Sequence, residues 1–263
     1  MAESHYDSKA RANTSCRTAL NKFHNRAKRA LLNEFVDAPH RLLDLACGRG
    51  GDVHKWLAAG IREVVGLDVS AQSVAEATRR FEATHSDLQY HFSKHDLTRP
   101  WTSPKKFGVV TCMFALHYFW GSEQDASMLL RTVADALDVG GVFIGIVPDG
   151  QRVNECIKYG PFDNGVMSIT ALWDGQPQCF GSAYTCCIES TVTQNSKVHE
   201  FLVYSNVLET LARMHGLEAL PIRSREFVGT DRSCFHHLAP PYSGPHATSS
   251  RMYAAFAFRK TGK

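Results

Sequence analysis

The sequence predicts an α/β fold, a mostly parallel sheet with helices on both faces behind a helical leader. Three observations predict it. Short apolar runs alternate with amphipathic segments from about residue 41 to 147, the β-α rhythm of a parallel sheet. The stretch RLLDLACGRGGD (41–52) reads as strand, glycine turn and helix start in that order. Glycine admits positive φ and close ligand approach, and a helix N-terminus offers unpaired N–H groups, so this order builds a nucleotide-cofactor site. Finally, 263 residues with 44% apolar and 21% charged content suit one sizeable α/β domain.

In chain order, residues 8 to 36 read as one or two helices. Leu20, Phe23, Ala27, Ala30, Leu31 and Leu32 recur at helical spacing, and Lys22, Arg26, Lys28 and Arg29 make the densest basic cluster. Pro39 ends this leader. A strand at 42–46, the glycine turn and a helix through Trp56 to Gly60 follow. The next strand, 63–67, ends on Asp68, and Ser70 is placed to cap a helix over 71–83. A third strand at 88–92 leads to Asp96, and a fourth at 107–113 opens into the segment FALHYFW. A long helix at 123–137 ends at Gly140-Gly141, and a strand at 142–147 stops at Pro148. The pattern then changes. A short helix near 150–158 precedes strand-like runs at 165–172, 183–189 and 199–204, then a helix at 205–215. The segment 229–250, including His236-His237, is loop by composition, and a last strand covers 252–259.

Composition excludes several classes. The polar opening segment has no apolar signal region and no run is long enough to span a bilayer, so an intracellular protein is expected, without membrane partners. Eight cysteines lack paired C-x-x-C spacing and the histidines lack an HExxH pair, so no metal site is expected, only reduced, mostly buried thiols. A net charge of +3 is too small for wholesale nucleic-acid binding.

Two cofactors compete for the turn. A dinucleotide wants G-x-G-x-x-G, with an acidic residue about twenty positions on to hold a ribose. Asp68, twenty residues beyond Gly48, serves either reading. Asp44, at the mouth of the first strand, would repel a pyrophosphate but suits the ammonium of S-adenosylmethionine, which has no phosphate. The bland alternative is that Asp44 only caps the turn. With the late LDVGGVFIG turn, these features resemble class I methyltransferases, whose fold implies a Rossmann-like, seven-stranded sheet.

The flanking segments narrow the resemblance. Residues 17–32, DLACGRGGDVHKW, GLDVSAQSV, FALHYFW, GGVFIGIVPDG, HEFLVY and ATSSRMYAAFAF resemble the messenger RNA cap guanine-N7 methyltransferases, in that family's order over nearly the whole chain. The resemblance implies one domain over 1–263, with a helical leader (1–40), a cofactor-binding half (41–148) and a substrate-binding half (149–263). It implies methyl transfer from S-adenosylmethionine to N7 of the guanine of GpppN-capped RNA. Other capping enzymes or RNA polymerase would be partners, in the nucleus, or in the cytoplasm for a virus.

It also implies residue roles. Lys28, Asp44, Ala46, Gly48, Asp68, Asp96, Met113 and Tyr118 would hold the cofactor: Lys28 at its carboxylate, Asp68 at the ribose, Asp96 at the adenine amine. Asn25, Arg49, Lys55 and Arg80 would approach the cap and its phosphates. His117, Glu200 and Tyr253 would enclose the guanine, with His117, Tyr118 and Glu200 positioning it. Guanine N7 has a lone pair and no proton, so no acid–base residue is expected. The sequence departs from the family where His24-Asn25-Arg26 replace two asparagines and an aromatic, and where Met113 replaces a glutamine. Taken singly, Lys28 and Arg80 read as solvated helix charges, and His117 as a core histidine satisfied by backbone. Two other classes stay open: a methyltransferase for a small molecule or another RNA position, whose His117, Glu200 and Tyr253 would not converge, and a cap-binding subunit without turnover.

Overall fold

The structure, a computed structural model, describes residues 19–37, 41–85, 87–188, 199–230 and 232–262. The start of the expected leader, with Cys16, and Pro39 lie outside the described residues. Helix α1 (Ala19–Phe35) buries Leu20, Phe23, Ala27, Leu31 and Leu32, the predicted apolar stripe. Then come β1 (Arg41–Leu45), α2 (Val53–Ala58), β2 (Glu63–Asp68), α3 (Ala71–Glu82) and β3 (Gln89–Lys94). Strand β4 (Phe107–Met113), a 3-10 turn (Leu116–Phe119), α4 (Glu123–Ala136) and β5 (Leu137–Pro148) complete the alternating part. Beyond it lie α5 (Gly150–Ile157), β6 (Phe162–Asp163), β7 (Met167–Ala171), β8 (Ala183–Ile188), β9 (His199–Phe201), α6 (Ser205–Met214) and β10 (Leu217–Ala219). The chain closes with β11 (Phe227–Gly229), β12 (His236–Leu238), α7 (Pro245–Arg251) and β13 (Tyr253–Lys260).

The main sheet runs β11-β12-β13-β5-β4-β1-β2-β3, with β10 also paired to β13. Strands β3, β2, β1, β4 and β5 are mutually parallel, and β13 lies antiparallel to β5 over seven residue pairs. Helices cover both faces. Leu43 and Leu45 of β1 pack on one side with Leu129, Leu130, Leu208 and Leu211 of α4 and α6. Leu42, on the other, packs with Leu31, Leu32 and Trp56 of α1 and α2. A side-chain alternation of two along the strand produces this division, and it sends Asp44 to the Leu42 face.

The sheet has nine strands rather than seven. Strands β11 and β12 fall wholly or partly in the segment read as loop, which also contains α7. Local composition misses them because their partner is the open edge of β13, to which His236 and His237 are registered. Likewise Gly140 and Gly141 do not end a helix. They lie within β5, where Gly140 has φ 83°. A second, antiparallel sheet, β6-β7-β8-β9, stands apart from the first and places Glu200 on β9 opposite Tyr184 on β8.

Candidate functional site

The strand order reverses between β1 and β4, and a parallel sheet opens a crevice at the carboxyl ends of its strands at such a point. Asp44 and Thr111 are registered partners there, and Thr111 Oγ1 donates to Asp44 Oδ1 at 2.5 Å. The turn leaves β1 through three left-handed residues, Ala46 (φ 58°), Gly48 (φ 53°) and Gly50 (φ 67°). Gly50 is required twice over, since a Cβ there would stand 2.9 Å from Ala77 Cα on α3. At Gly48 a Cβ would meet nothing within 4 Å, so this side of the turn is open space, as an adenosyl ligand needs. Asp68 ties the turn down, because its carboxylate accepts from Gly48 N (2.8 Å) and Ser70 N (2.9 Å). Capping of the turn therefore falls to Asp68, and the contact seen at Asp44 is Thr111. Asp96, one strand along, is exposed just beyond β3 and accepts from Thr98 N and Oγ1.

Charge in the crevice centres on two buried carboxylates. Burial pushes the Asp44 pKa up to about 7, and the nearby Asp52 charge adds to the effect. Burial works in the same direction on Asp52, but Lys28 and Lys55, each with Nζ 2.7 Å from a carboxylate oxygen, outweigh it and hold Asp52 below the usual carboxylate range. Lys28, from α1, thus reaches the turn, with its ammonium on Asp52. Lys55 differs from expectation. Its side chain is buried, and its ammonium sits on Asp52 and Gly51 O rather than facing outward to a phosphate. The cause is geometric, since Asp52 precedes α2 and Lys55 follows one turn later on the same side.

The residues expected at the acceptor are spread along the chain. His117, buried in the 3-10 turn, stands with Nε2 3.7 Å from Glu200 Oε2, and Tyr118 packs beside it at 4.2 Å between ring centroids. The carboxylate of Glu200 acts on both Tyr184 and Tyr253, whose hydroxyls burial pushes well above their ordinary pKa. His117, Glu200 and Tyr253 therefore line one region. The remaining expected residues are less convergent. Asn25 Nδ2 turns back onto Asn21 O of its own helix. Arg80, on the outer side of α3, pairs with Glu76, which it shares with Arg79. Arg49 is half-buried in the turn, and Met113 is half-buried at the end of β4.

Sequence reasoning passed over Phe114 and His24. Phe114 carries φ 61°, a strained value for an aromatic residue and of the kind that clusters at functional sites. Its ring stacks on His24 (4.9 Å, 22°) and meets Tyr253 edge-on (5.2 Å), with Lys28 Nζ 5.4 Å from its centre. Its place just after β4, before the ALHY residues, was the available signal.

Comparison with known proteins bears on this arrangement. The profile of the mRNA (guanine-N(7))-methyltransferase domain matches residues 2–231, so Tyr253 lies beyond the matched part. The chain is 31% identical over 207 residues to the mRNA cap guanine-N(7) methyltransferase of Caenorhabditis briggsae, covering 72% of this chain and 54% of that protein. The Schizosaccharomyces pombe protein of the same name is 27% identical over 278 residues, covering 92% and 76%. The chain thus spans about half the length of the nematode relative. Among solved structures, a S-adenosylmethionine-dependent methyltransferase from Clostridium acetobutylicum overlays with TM-score 0.61 at 15% identity, covering 94% of each chain. Magnesium protoporphyrin IX methyltransferase from Synechocystis, with bound SAH, gives TM-score 0.59 at 13% identity over 97% and 93%. These overlays identify the fold as that of the class I methyltransferases. With the profile match across most of its length, the chain belongs to the mRNA (guanine-N(7))-methyltransferase family.

Proposed function

We propose that this chain transfers a methyl group from S-adenosylmethionine to N7 of the guanine in GpppN-capped RNA, leaving S-adenosylhomocysteine. The observation that most supports the reading is the half-buried Glu200, whose Oε2 is enclosed. It faces His117 and acts on the buried hydroxyls of Tyr184 and Tyr253. One carboxylate there accepts from guanine N1–H and the exocyclic amine, and opposes the positive charge that N7 gains. His117, Tyr118 and Tyr253 would enclose the base, the usual way proteins read an exposed nucleobase.

When bound, S-adenosylmethionine supplies an electrophilic methyl carbon on a sulfonium. Asp44 would face its ammonium, and Lys28 would give its carboxylate the contact now made to Asp52. Asp68 would turn its carboxylate to the ribose hydroxyls, and Asp96, exposed beyond β3, to an adenine amine. Ala46, Gly48 and Met113 would supply the wall. Because N7 carries no proton, these residues need only hold N7 and the methyl carbon in line at about 3 Å, which removes several kcal/mol of entropic barrier. For the cap phosphates the cations of those named would be Arg49 and Arg80, because Lys55 is buried on Asp52. Capped RNA is then the substrate, and the nucleus, where transcripts are capped, the site of action. Other capping enzymes or RNA polymerase would be its neighbours there. Among the described residues no helix is long and apolar enough to cross a membrane.

The test is incubation with methyl-labelled S-adenosylmethionine and GpppN-RNA, followed by nuclease digestion. Label is expected in 7-methylguanosine cap. Label on a small molecule or an internal RNA position, with none on the cap, sinks the proposal. Cofactor binding without transfer to any acceptor identifies a non-catalytic subunit.

A further inference from the structure

We infer that Gly121 and Gly150 are positioning residues for the acceptor: lacking side chains, they set Glu200 against His117 and Tyr253 and so govern the selection of guanine. The inference rests on the proposed function and deepens it. Neither glycine has positive φ, so backbone conformation does not call for it. Gly150 opens α5, where alanine is the better helix former. What the two positions share is a close neighbour from the segment that carries Glu200. A Cβ on Gly150 would stand 2.7 Å from Val203 N and 2.8 Å from Val203 O, backbone atoms that cannot rotate aside. A Cβ on Gly121 would stand 3.1 Å from the ring of Phe201.

Phe201 and Val203 follow closely on Glu200, and each glycine ties that segment to a different neighbour of the carboxylate. Gly121 lies just past the 3-10 turn that bears His117, whose Nε2 is 3.7 Å from Glu200 Oε2. The same turn meets the second sheet again where Gly181 N donates to Trp120 O at 3.0 Å. On the other side, Gly150 N donates to Val203 O at 2.8 Å, while Asp149 N donates to Met252 O at 2.8 Å, next to Tyr253. The corner Asp149-Gly150 thus fastens the segments of both Glu200 and Tyr253 to the end of β5. Bulk at either glycine moves the carboxylate relative to its neighbours, and hydrogen bonds weaken steeply with such displacement.

The experiment uses the full chain and two capped RNAs, GpppN-RNA and its inosine counterpart IpppN-RNA. Hypoxanthine keeps N7 and N1–H but lacks the exocyclic amine from which Glu200 accepts. The wild-type chain should prefer the guanine cap by about tenfold in kcat/KM, the size of one hydrogen bond to a charged acceptor. In Gly150→Ala the preference should fall to about twofold, through loss on the guanine cap alone. S-adenosylhomocysteine affinity should be unchanged. A merely structural loss lowers both caps alike and leaves the ratio intact. Gly121→Ala asks only a ring to give way, so it is read even where Gly150→Ala does not fold. Its preference should also drop, and adding Phe201→Leu, which clears the space, should restore it. A wild-type ratio in a folded Gly150→Ala or in Gly121→Ala overturns the inference and leaves the proposed function standing. So does a double variant no better than Gly121→Ala, or weakened S-adenosylhomocysteine binding in Gly150→Ala. A wild-type chain active on both caps without preference removes the reading of guanine by Glu200 and the inference with it, whereas one inactive on GpppN-RNA removes the proposed function itself.

Discussion

At the scale of single residues, Asp44 makes a distinctive demand. Its carboxyl titrates near 7 because it is buried and lies near Asp52, and an ordinary aspartate titrates near 3.8. Below about pH 4 it is protonated folded and unfolded alike. Between there and its folded pKa of about 7, the unfolded chain ionises first, so its contribution to stability falls with rising pH and then levels. A cationic ammonium beside it reverses the preference and favours the ionised form. Affinity for S-adenosylhomocysteine, measured by calorimetry, should therefore rise several-fold from pH 6 to 8 with proton release. In Asp44→Asn the rise should vanish and overall affinity should fall. A flat wild-type profile would disconnect Asp44 from the ammonium. The role expected of Asp44 was readable because a strand-end aspartate before a glycine turn is a local pattern. Its dependence on Thr111 and Asp52 was not, since Thr111 is 67 residues away in sequence.

At the scale of elements, α1 is the segment whose attachment matters most, because it carries Lys28 to Asp52 beside the glycine turn. Its apolar stripe was legible from spacing alone. Its polar fastenings were not, because they involve distant loops. The Glu34 carboxylate accepts from Arg223 N at 2.7 Å and Ser224 N at 3.0 Å, and Arg26 pairs with Glu226 at 3.3 Å. Removing Glu34 leaves those two amides to water, so Glu34→Ala should cost about 1 kcal/mol in denaturant unfolding. Amides of α1 should then exchange faster while those of β4 and β5 keep their protection. Uniform protection across α1 in the variant would show that the apolar stripe holds the helix unaided. The same contrast explains β11 and β12. Strands that alternate with helices announce themselves, whereas short strands recruited by an existing sheet edge have no local signal.

At the scale of the molecule, the crevice is assembled from segments that depend on one another through the sheet. Ligand binding should stabilise all of them at once. At a hundredfold excess of S-adenosylhomocysteine over its Kd, linkage supplies about 2.7 kcal/mol. For a chain of this length that raises Tm by about 5 °C in a single cooperative transition followed by calorimetry. A ligand-induced split into two transitions would mean that the β6–β9 sheet melts apart from the main one. Overall topology was readable because the β-α rhythm is written over a hundred consecutive residues. The meeting of Glu200 with His117 was reachable only through family resemblance, because no local rule links the β9 strand to the 3-10 turn.

The meeting of His24, Phe114 and Tyr253 has a consequence in time. Their rings stand about 5 Å apart, yet His24 belongs to the first described helix and Tyr253 to the last strand. Strand β13 also sits inside the sheet, between β5 and β12. During synthesis, a chain still inside the ribosome beyond residue 250 can build the turn and its aspartates, but has neither the Tyr253 ring nor the antiparallel strand beside β5. The order of translation thus makes this cluster of rings late to form, completed only as Tyr253 emerges to close on the first described helix.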